Sequence, residues 1–237
     1  MKAFLLAAGL GTRLRPVIGE RPKCLAPIGG VPMLAIWLDL LGRYGVKEVL
    51  LNTHYQAGTV TEFAETWTGA PKLTITFEEH LLGSAGTLAQ NWSFVEGESD
   101  FLVCYADNLT DMDLGKLIQF HRGHQDLVTM TLFRTETPTQ CGIVETAPDG
   151  RVVSFEEKPA VPKSNLANAG VYVMRAGIRE LLPEKIPADI GFDLLPRCMG
   201  SMRAWTPDCF LMDMGTPQTY AAAQEQWAKR NLQDARP

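Results

Sequence analysis

The chain is poor in the features that would assign it to several large classes. No apolar run among its 237 residues approaches the length of about twenty needed to cross a bilayer as a helix. The apolar stretch that opens it is short and runs directly into a glycine turn, so it reads as a core strand rather than a leader, and no membrane partner is expected. Basic residues are outnumbered, 22 against 27 acidic, and no long basic run occurs. A net charge of −5 predicts no nucleic-acid partner. The five cysteines (Cys24, Cys104, Cys141, Cys198 and Cys209) are odd in number, scattered and without a Cys-x-x-Cys pair. They read as reduced thiols of a cytoplasmic protein, with no disulfide framework and no zinc site. Internal repeats and low-complexity linkers are also missing, and no appended β-helix is expected.

What is present is ordinary globular composition, 46% hydrophobic and 21% charged, in a length that suits one large domain over residues 1–237. Strand and helix signals alternate through the first half. Ala3 to Ala8, Val49-Leu50-Leu51 and Phe101 to Tyr105 read as buried strands, and Leu73, Ile75 and Phe77, alternating with threonines, as a half-buried one. Apolar residues at helical spacing mark helices through Ile36 to Tyr44, Val60 to Trp67 and Leu114 to His121. The second half predicts a hairpin around Asp149-Gly150, a strand from Asn168 to Met174, another from Phe210 to Met214, and a closing helix from Tyr220 to about Trp227. The last half-dozen residues are expected to fray. The alternation predicts an α/β fold, a doubly wound mixed sheet with ligands at the carboxyl ends of its strands.

One such end carries the most information. The first strand empties into Gly9-Leu10-Gly11-Thr12-Arg13-Leu14-Arg15-Pro16, with Pro22-Lys23 downstream. Two glycines remove side chains, so backbone N–H groups can approach a phosphate, while Arg13 and Lys23 set positive charge beside them. A dinucleotide-binding turn would need a third glycine where Leu14 stands, and a Walker-type loop would need Gly-Lys-Ser/Thr. Asp107 and Asp213 each follow a strand, and two carboxylates from distant strands suit one Mg²⁺ completed by water and phosphate oxygens. Gly83-Ser84-Ala85-Gly86-Thr87 forms a second loop of small residues, able to contact a base and ribose through its backbone, or else a plain helix start. Glu78 or Glu79, just before it, could accept the two donors of a guanine edge. His54 reads as structural, His121 and His124 as solvated, and Trp205 as a residue that could border a sugar pocket.

The string Gly-x-Gly-Thr-Arg-Leu-x-Pro with Pro-Lys downstream closely resembles the signature of the sugar-1-phosphate nucleotidylyltransferases. Further elements match in family order: Leu82 to Gly86, Tyr105-Ala106-Asp107-Asn108, Glu157-Lys158-Pro159, Asn168-Ala169-Gly170 and Asp213-Met214-Gly215-Thr216-Pro217. The resemblance runs from Met1 to about Trp227 and implies a Rossmann-like, GT-A-like nucleotidyltransferase fold, with the nucleotide in the N-terminal half and the sugar phosphate in the C-terminal half. It implies a nucleotide site of Leu6, Ala8, Gly9, Gly11, Thr12, Arg13, Lys23, Glu78, Gly83, Ser84, Ala85, Gly86 and Asp107. The implied sugar-phosphate site is Gly142, Glu157, Lys158, Asn168 and Gly170, with Gly142 meeting the sugar through its backbone. Arg13, Lys23, Asp107 and Asp213 would be catalytic, with Mg²⁺ on Asp107 and Asp213. Within the family the chain looks most like guanylyltransferases for manno-configured sugar phosphates, the D-glycero-α-D-manno-heptose 1-phosphate branch nearest and mannose 1-phosphate enzymes next. The expected reaction joins GMP from GTP to the sugar 1-phosphate, releasing pyrophosphate, for capsule or lipopolysaccharide assembly. Uridylyl transfer to N-acetylmuramate 1-phosphate and a silent regulatory subunit are the alternatives, and a homo-oligomer is left open.

Overall fold

A computed structural model describes residues 1–234, with side chains through Arg230. In chain order the elements are β1 (Lys2–Leu6), α1 (Arg15–Ile18), β2 (Pro27–Ile28), β3 (Val31–Pro32), α2 (Met33–Arg43), β4 (Glu48–Thr53), α3 (Ala57–Thr66), β5 (Lys72–Phe77), α4 (Ser84–Gln90), β6 (Asp100–Tyr105), β7 (Asn108–Thr110), α5 (Leu114–Arg122), β8 (Val128–Arg134), β9 (Gly142–Thr146), β10 (Val152–Glu157), β11 (Leu166–Arg175), β12 (Met202–Trp205), β13 (Leu211–Asp213) and α6 (Pro217–Asp234). The fraying expected at the end of the chain falls largely outside the described residues. Among the described residues no helix is long and apolar enough to cross a membrane.

β1 lies at the centre because both of its faces are apolar. Ala3 and Leu5 pack to one side with residues of α2, α3, α5 and α6, and Phe4 and Leu6 to the other with Ala85 and Leu88 of α4. Its neighbours β4 and β6 run parallel to it, and β5 extends the parallel set beyond β4. The second half joins antiparallel: β11 pairs with β6 on one side and β8 on the other, and β9, β10 and β12 complete one mixed sheet of nine strands. Helices cover both faces, as the alternation of signals predicts. The registers align Leu6 with Asn52 and with Tyr105, so the carboxyl ends of β1, β4 and β6 finish side by side. That shared edge is where a ligand can meet several strand ends at once. β11 breaks register between Asn168 and Tyr172, where Gly170 takes a φ of +68°. A Cβ on Gly170 would stand 2.5 Å from the Tyr105 ring, so this bulge sits tight against the same edge.

Three local readings change. β5 is the outer strand of the sheet; Leu73 and Ile75 are half-buried as expected, but Phe77 at its end is 62% exposed. The segment from Ser84 is already helix, the first turn of α4. His121 and His124 are drawn into the protein instead of facing water. His121 is completely buried, Nδ1 sharing a 2.8 Å hydrogen bond with Thr129 Oγ1, to which His124 Nε2 also bonds at 2.9 Å. Asp100 and Arg175 pair at 3.2 Å beside them, and Arg175 also donates to the carbonyls of both histidines. His121 continues the buried face of α5 set by Leu114 and Leu117, a helical spacing that signals burial whatever the residue's polarity.

Burial, and secondarily the Arg175 charge, lower the His121 imidazole to a pKa of about 4, against the pull of Asp100. It is neutral when folded, while the unfolded chain takes up a proton near its usual pKa of about 6.5. Stability contributed by the neutral ring is therefore present above the unfolded pKa and is lost as pH falls toward 4. The fall is expected to reach up to roughly 3 kcal/mol from this group. Urea unfolding between pH 7 and 4 checks it: His121→Asn should show a shallower loss across that window, and an unchanged slope would count against the assignment.

Candidate active site

Two cavities meet at the carboxyl edge of the sheet. The first, about 300 Å³, is walled by Leu6 to Gly9, Lys23, Asn52, Glu78, Gly83, Ser84 and Asp107. The second, about 270 Å³, is walled by Gly142, Glu157, Lys158, Asn168, Gly170 and Asp213 among others. Tyr105, Asp107 and Asp189 line both, so the cavities adjoin.

At the junction Lys23 Nζ sits 2.8 Å from Asp107 Oδ2 and 3.5 Å from Asp213 Oδ1. Lys23 enters from a single 3₁₀ turn after Pro22. Asp213 ends β13, whose antiparallel pairing with β7 sets it opposite Asn108, and Met214 N donates to Asp107 O at 3.1 Å. Partial desolvation, and then the like charge of Asp107, raise the Asp213 carboxyl above the usual carboxylate range, opposed by Lys23 and Arg13. More than half of the Asp213 side-chain surface still faces the open cleft, so this is a modest bias rather than a buried-charge penalty. Arg13 is exposed beside Gly215, where a Cβ would meet its Nη2 at 3.2 Å and the Asp213 carboxylate at 2.9 Å. Among the described residues no group of three or more His, Cys, Asp or Glu converges. The protein thus offers no closed cage but two carboxylates directed at one cation, which fits Mg²⁺ with its remaining positions on phosphate and water.

Around the first cavity the glycines divide by what surrounds them. A Cβ on Gly9 would meet nothing within 4 Å, and Gly9 needs no unusual φ, so only the cavity gives its bare backbone a purpose. Gly11 has a φ of +60° and its carbonyl closes a turn with Leu14 N, a structural requirement. Gly11, Thr12 and Arg13 lie beyond the wall of the first cavity. Gly83 and Gly86 are also structural: a Cβ on Gly83 would overlap the Ala188 backbone, and one on Gly86 would press on Ile186 and Leu82 at 3.3 Å. Ala85 and Gly86 spend their N–H groups on Ala188 O and do not line the cavity, which corrects their reading as base contacts. Ser84 and Gly83 remain on its wall.

The choice between Glu78 and Glu79 falls to Glu78, buried on the cavity wall, while Glu79 is exposed. Glu78 is already engaged. Its Oε1 accepts from Asn52 Nδ2 (2.8 Å) and Thr87 Oγ1 (2.5 Å), and its Oε2 from Leu82 N (3.0 Å). Only Oε2 keeps a lone pair, so the carboxylate cannot take both guanine donors, one on each oxygen. Asn52 Oδ1 also accepts from Ala7 N at 2.7 Å, tying the turn after β1 to β4. Its signal was a lone amide ending the apolar run Val49-Leu50-Leu51. His54 bonds the Glu78 carbonyl at 2.7 Å, a structural contact.

On the second side Glu157 is flanked by two glycines. A Cβ on either Gly142 or Gly191 would stand 2.5 Å from its Oε2, so each is glycine to admit the carboxylate. Burial, and with it the charge of Asp189, raise Glu157 above the usual range while Lys158 opposes. Lys158 holds a φ of +50°, a strained conformation for a residue with a Cβ, fixed by its N–H to Cys141 O at 3.0 Å. Its ammonium lies 4.0 Å from Glu157 Oε1 and 5.7 Å from the Phe192 ring centre. Asn168 Oδ1 accepts from Gly170 N at 3.0 Å, and its Nδ2 donates to Tyr172 OH at 2.5 Å. Trp205 does not border this cavity; it packs on the core. Asp189, Gly191 and Phe192 line it without any short motif to announce them.

Comparison with known proteins places the chain in a family. A family model described as nucleotidyl transferase matches residues 2–230. A probable mannose-1-phosphate guanylyltransferase of Oryza sativa subsp. japonica is 32% identical over 93% of the chain, and a mannose-1-phosphate guanylyltransferase of Mycobacterium tuberculosis is 30% identical over 92%. The chain spans 63% of the length of the first of these relatives and 62% of the second. Among solved structures, HddC from Yersinia pseudotuberculosis superposes with a TM-score of 0.80 at 26% identity, covering 95% of this chain and 99% of that one, in a crystal complexed with GMP-PN.

The two kinds of glycine predict opposite behaviour. Gly83→Ala should cost on the order of 2–3 kcal/mol of unfolding free energy, from the Ala188 overlap and a φ of +74°. Gly9→Ala should stay within about 0.5 kcal/mol of the unsubstituted protein. Denaturant unfolding of both variants decides it, and a large loss in Gly9→Ala would remove the argument that Gly9 is there for a ligand.

Proposed function

Because this chain belongs to the nucleotidyl transferase family, we propose that it transfers a nucleotidyl group from a nucleoside triphosphate to a sugar 1-phosphate, releasing pyrophosphate. The observation that carries this reading is the Lys23 ammonium between Asp107 and Asp213 at the junction of two cavities. Two anionic substrates brought end to end need positive charge at that point. The sugar phosphate oxygen is ionised at neutral pH and needs no general base. It attacks the α-phosphorus in line, forming one P–O bond as the bond to the β-phosphate oxygen breaks. Lys23 neutralises charge at the α-phosphate, and Arg13, exposed beside Asp213, that on the departing pyrophosphate. Asp107 and Asp213 would hold one Mg²⁺, which supplies charge neutralisation at phosphate oxygens when bound. Glu157 would accept from sugar hydroxyls, with Lys158 on the anomeric phosphate. The N-terminal half then serves the nucleotide and the C-terminal half the sugar.

GTP is the proposed donor. The names of the rice and mycobacterial relatives and the GMP-PN complex of HddC support it. The free lone pair of Glu78 Oε2 would meet one guanine donor, a narrower role than a carboxylate clamp on both. Leu82 to Gly86 and Asn52 to Tyr55 resemble guanylyltransferases for manno-configured sugar phosphates, and on overall likeness the proposed acceptor is D-glycero-α-D-manno-heptose 1-phosphate, with mannose 1-phosphate second. Its product would feed capsule or lipopolysaccharide assembly in the cytoplasm.

Pyrophosphate release with GTP, UTP and ATP against heptose, mannose and N-acetylmuramate 1-phosphates tests the reading. GTP with a manno-configured sugar phosphate should give the highest kcat/KM. Equal values for GTP and UTP would overturn the guanine assignment, and no release with any pair would overturn the activity.

Asp107→Asn and Asp213→Asn should each lower kcat by orders of magnitude at unchanged melting temperature. Lys158→Ala should raise the KM for the sugar phosphate, whereas Lys23→Ala should chiefly lower kcat. A wild-type KM in Lys158→Ala would remove that residue from the sugar side.

A further inference from the structure

Asp189 lines both cavities, yet among the described residues no lysine, arginine or histidine forms an ion pair with it. A carboxylate in a site for two anions is not there to attract them. Its bonds suggest another purpose. Oδ2 accepts from Ser84 Oγ at 2.8 Å, and Ser84 Oγ accepts in turn from Ile190 N at 2.7 Å. Oδ1 accepts from Gly191 N and Phe192 N at 2.7 and 3.2 Å. Backbone bonds reinforce the same junction: Ala188 N donates to Leu82 O at 2.9 Å, and Ala188 O accepts from Ala85 N and Gly86 N at 2.9 and 3.1 Å.

This strap has one end in each cavity. Ser84 is on the wall of the first, and Leu82 N holds Glu78 Oε2 there. At the other end Gly191 presses on Glu157, whose Oε2 would be 2.5 Å from a Cβ on that residue. The Ser84 hydroxyl is thus hydrogen-bonded to Asp189, Asp189 caps Gly191, and Gly191 leaves no room for a Cβ beside the Glu157 carboxylate.

We propose that the Ser84–Asp189 hydrogen bond couples the two cavities, so that a nucleotide seated against Ser84 tightens binding of the sugar 1-phosphate by fixing Gly191 against Glu157. Asp189 is on this account a positioning residue. The inference rests on the two-substrate reading above. The coupling is reciprocal, as linkage requires, so the sugar phosphate tightens nucleotide binding by the same factor.

The test is the affinity of mannose 1-phosphate measured calorimetrically with and without a non-hydrolysable GTP analogue. The ratio of the two affinities is the readout, and thermal melting confirms folding. In the unsubstituted protein the analogue should raise the affinity. Ser84→Ala should lower the ratio about three- to tenfold, the range of one hydrogen bond, and Ser84→Thr, which keeps the hydroxyl, should restore it. Asp189→Ala gives a second reading: it removes the acceptor of the Ser84 hydroxyl outright, whereas the NH₂ of an Asn could still donate to the second lone pair of Ser84 Oγ. It should lower the ratio as Ser84→Ala does. A wild-type ratio in folded Ser84→Ala or Asp189→Ala, or no enhancement in the unsubstituted protein, overturns the coupling alone. If the unsubstituted protein binds neither ligand, the functional reading falls and this inference with it.

Discussion

Two carboxylates held close to one another by separate strands, with a single ammonium between them, set the terms for the rest of this site. Asp107 and Asp213 repel, and nothing in their local sequence would keep them together. The β7–β13 pairing does so, and the bond from Met214 N to Asp107 O fixes the approach. Lys23 relieves the repulsion from one side. In the proposed function this like-charge pair would take a further cation, because added positive charge completes what one lysine begins. The bare Gly9 backbone and the two cavities are arranged around that point.

Around this centre, small residues serve packing more often than ligand contact. Gly142 and Gly191 admit Glu157, Gly170 admits the Tyr105 ring, and Gly83 admits the Ala188 backbone. Close approach of backbone to side chain is what brings the segment 188–192 into the site, although it carries no motif of its own. The polar groups are equally committed. Asn52, Glu78 and Thr87 satisfy one another in a buried network that ties β4, the residue after β5 and α4 to the turn following β1. Such a network costs stability if any member is lost, and in return it holds the cavity wall in one conformation.

Much of this was legible in the chain. The apolar alternation of β1, β4 and β6 and the amphipathic spacing of α2 and α5 predict a doubly wound sheet, because burying both faces of a parallel strand demands helices on each. Gly9 and Asp107 stand within three residues of the ends of β1 and β6, Asp213 at the end of β13 and Lys23 in the 3₁₀ turn after Pro22, where local chemistry and a short motif coincide. His121 was misread because its polarity was weighed above its place on the buried face of α5. Phe77 departs from the half-buried pattern kept by Leu73 and Ile75 because it stands at the last position of β5, and an alternation pattern does not show where packing against its face stops.

The sequence by itself determined which residues could do phosphate chemistry and on which ends of which strands they stand, since both follow from short-range pattern. The tertiary structure alone decided which glycines the packing requires, that Glu78 rather than Glu79 turns inward, and that Ala85 and Gly86 give their N–H groups to Ala188. It alone brought Asp189 between the two cavities. Each of these depends on what a distant segment presses against the residue, and a contact between residues 84 and 189 leaves no trace in the spacing of either one's neighbours.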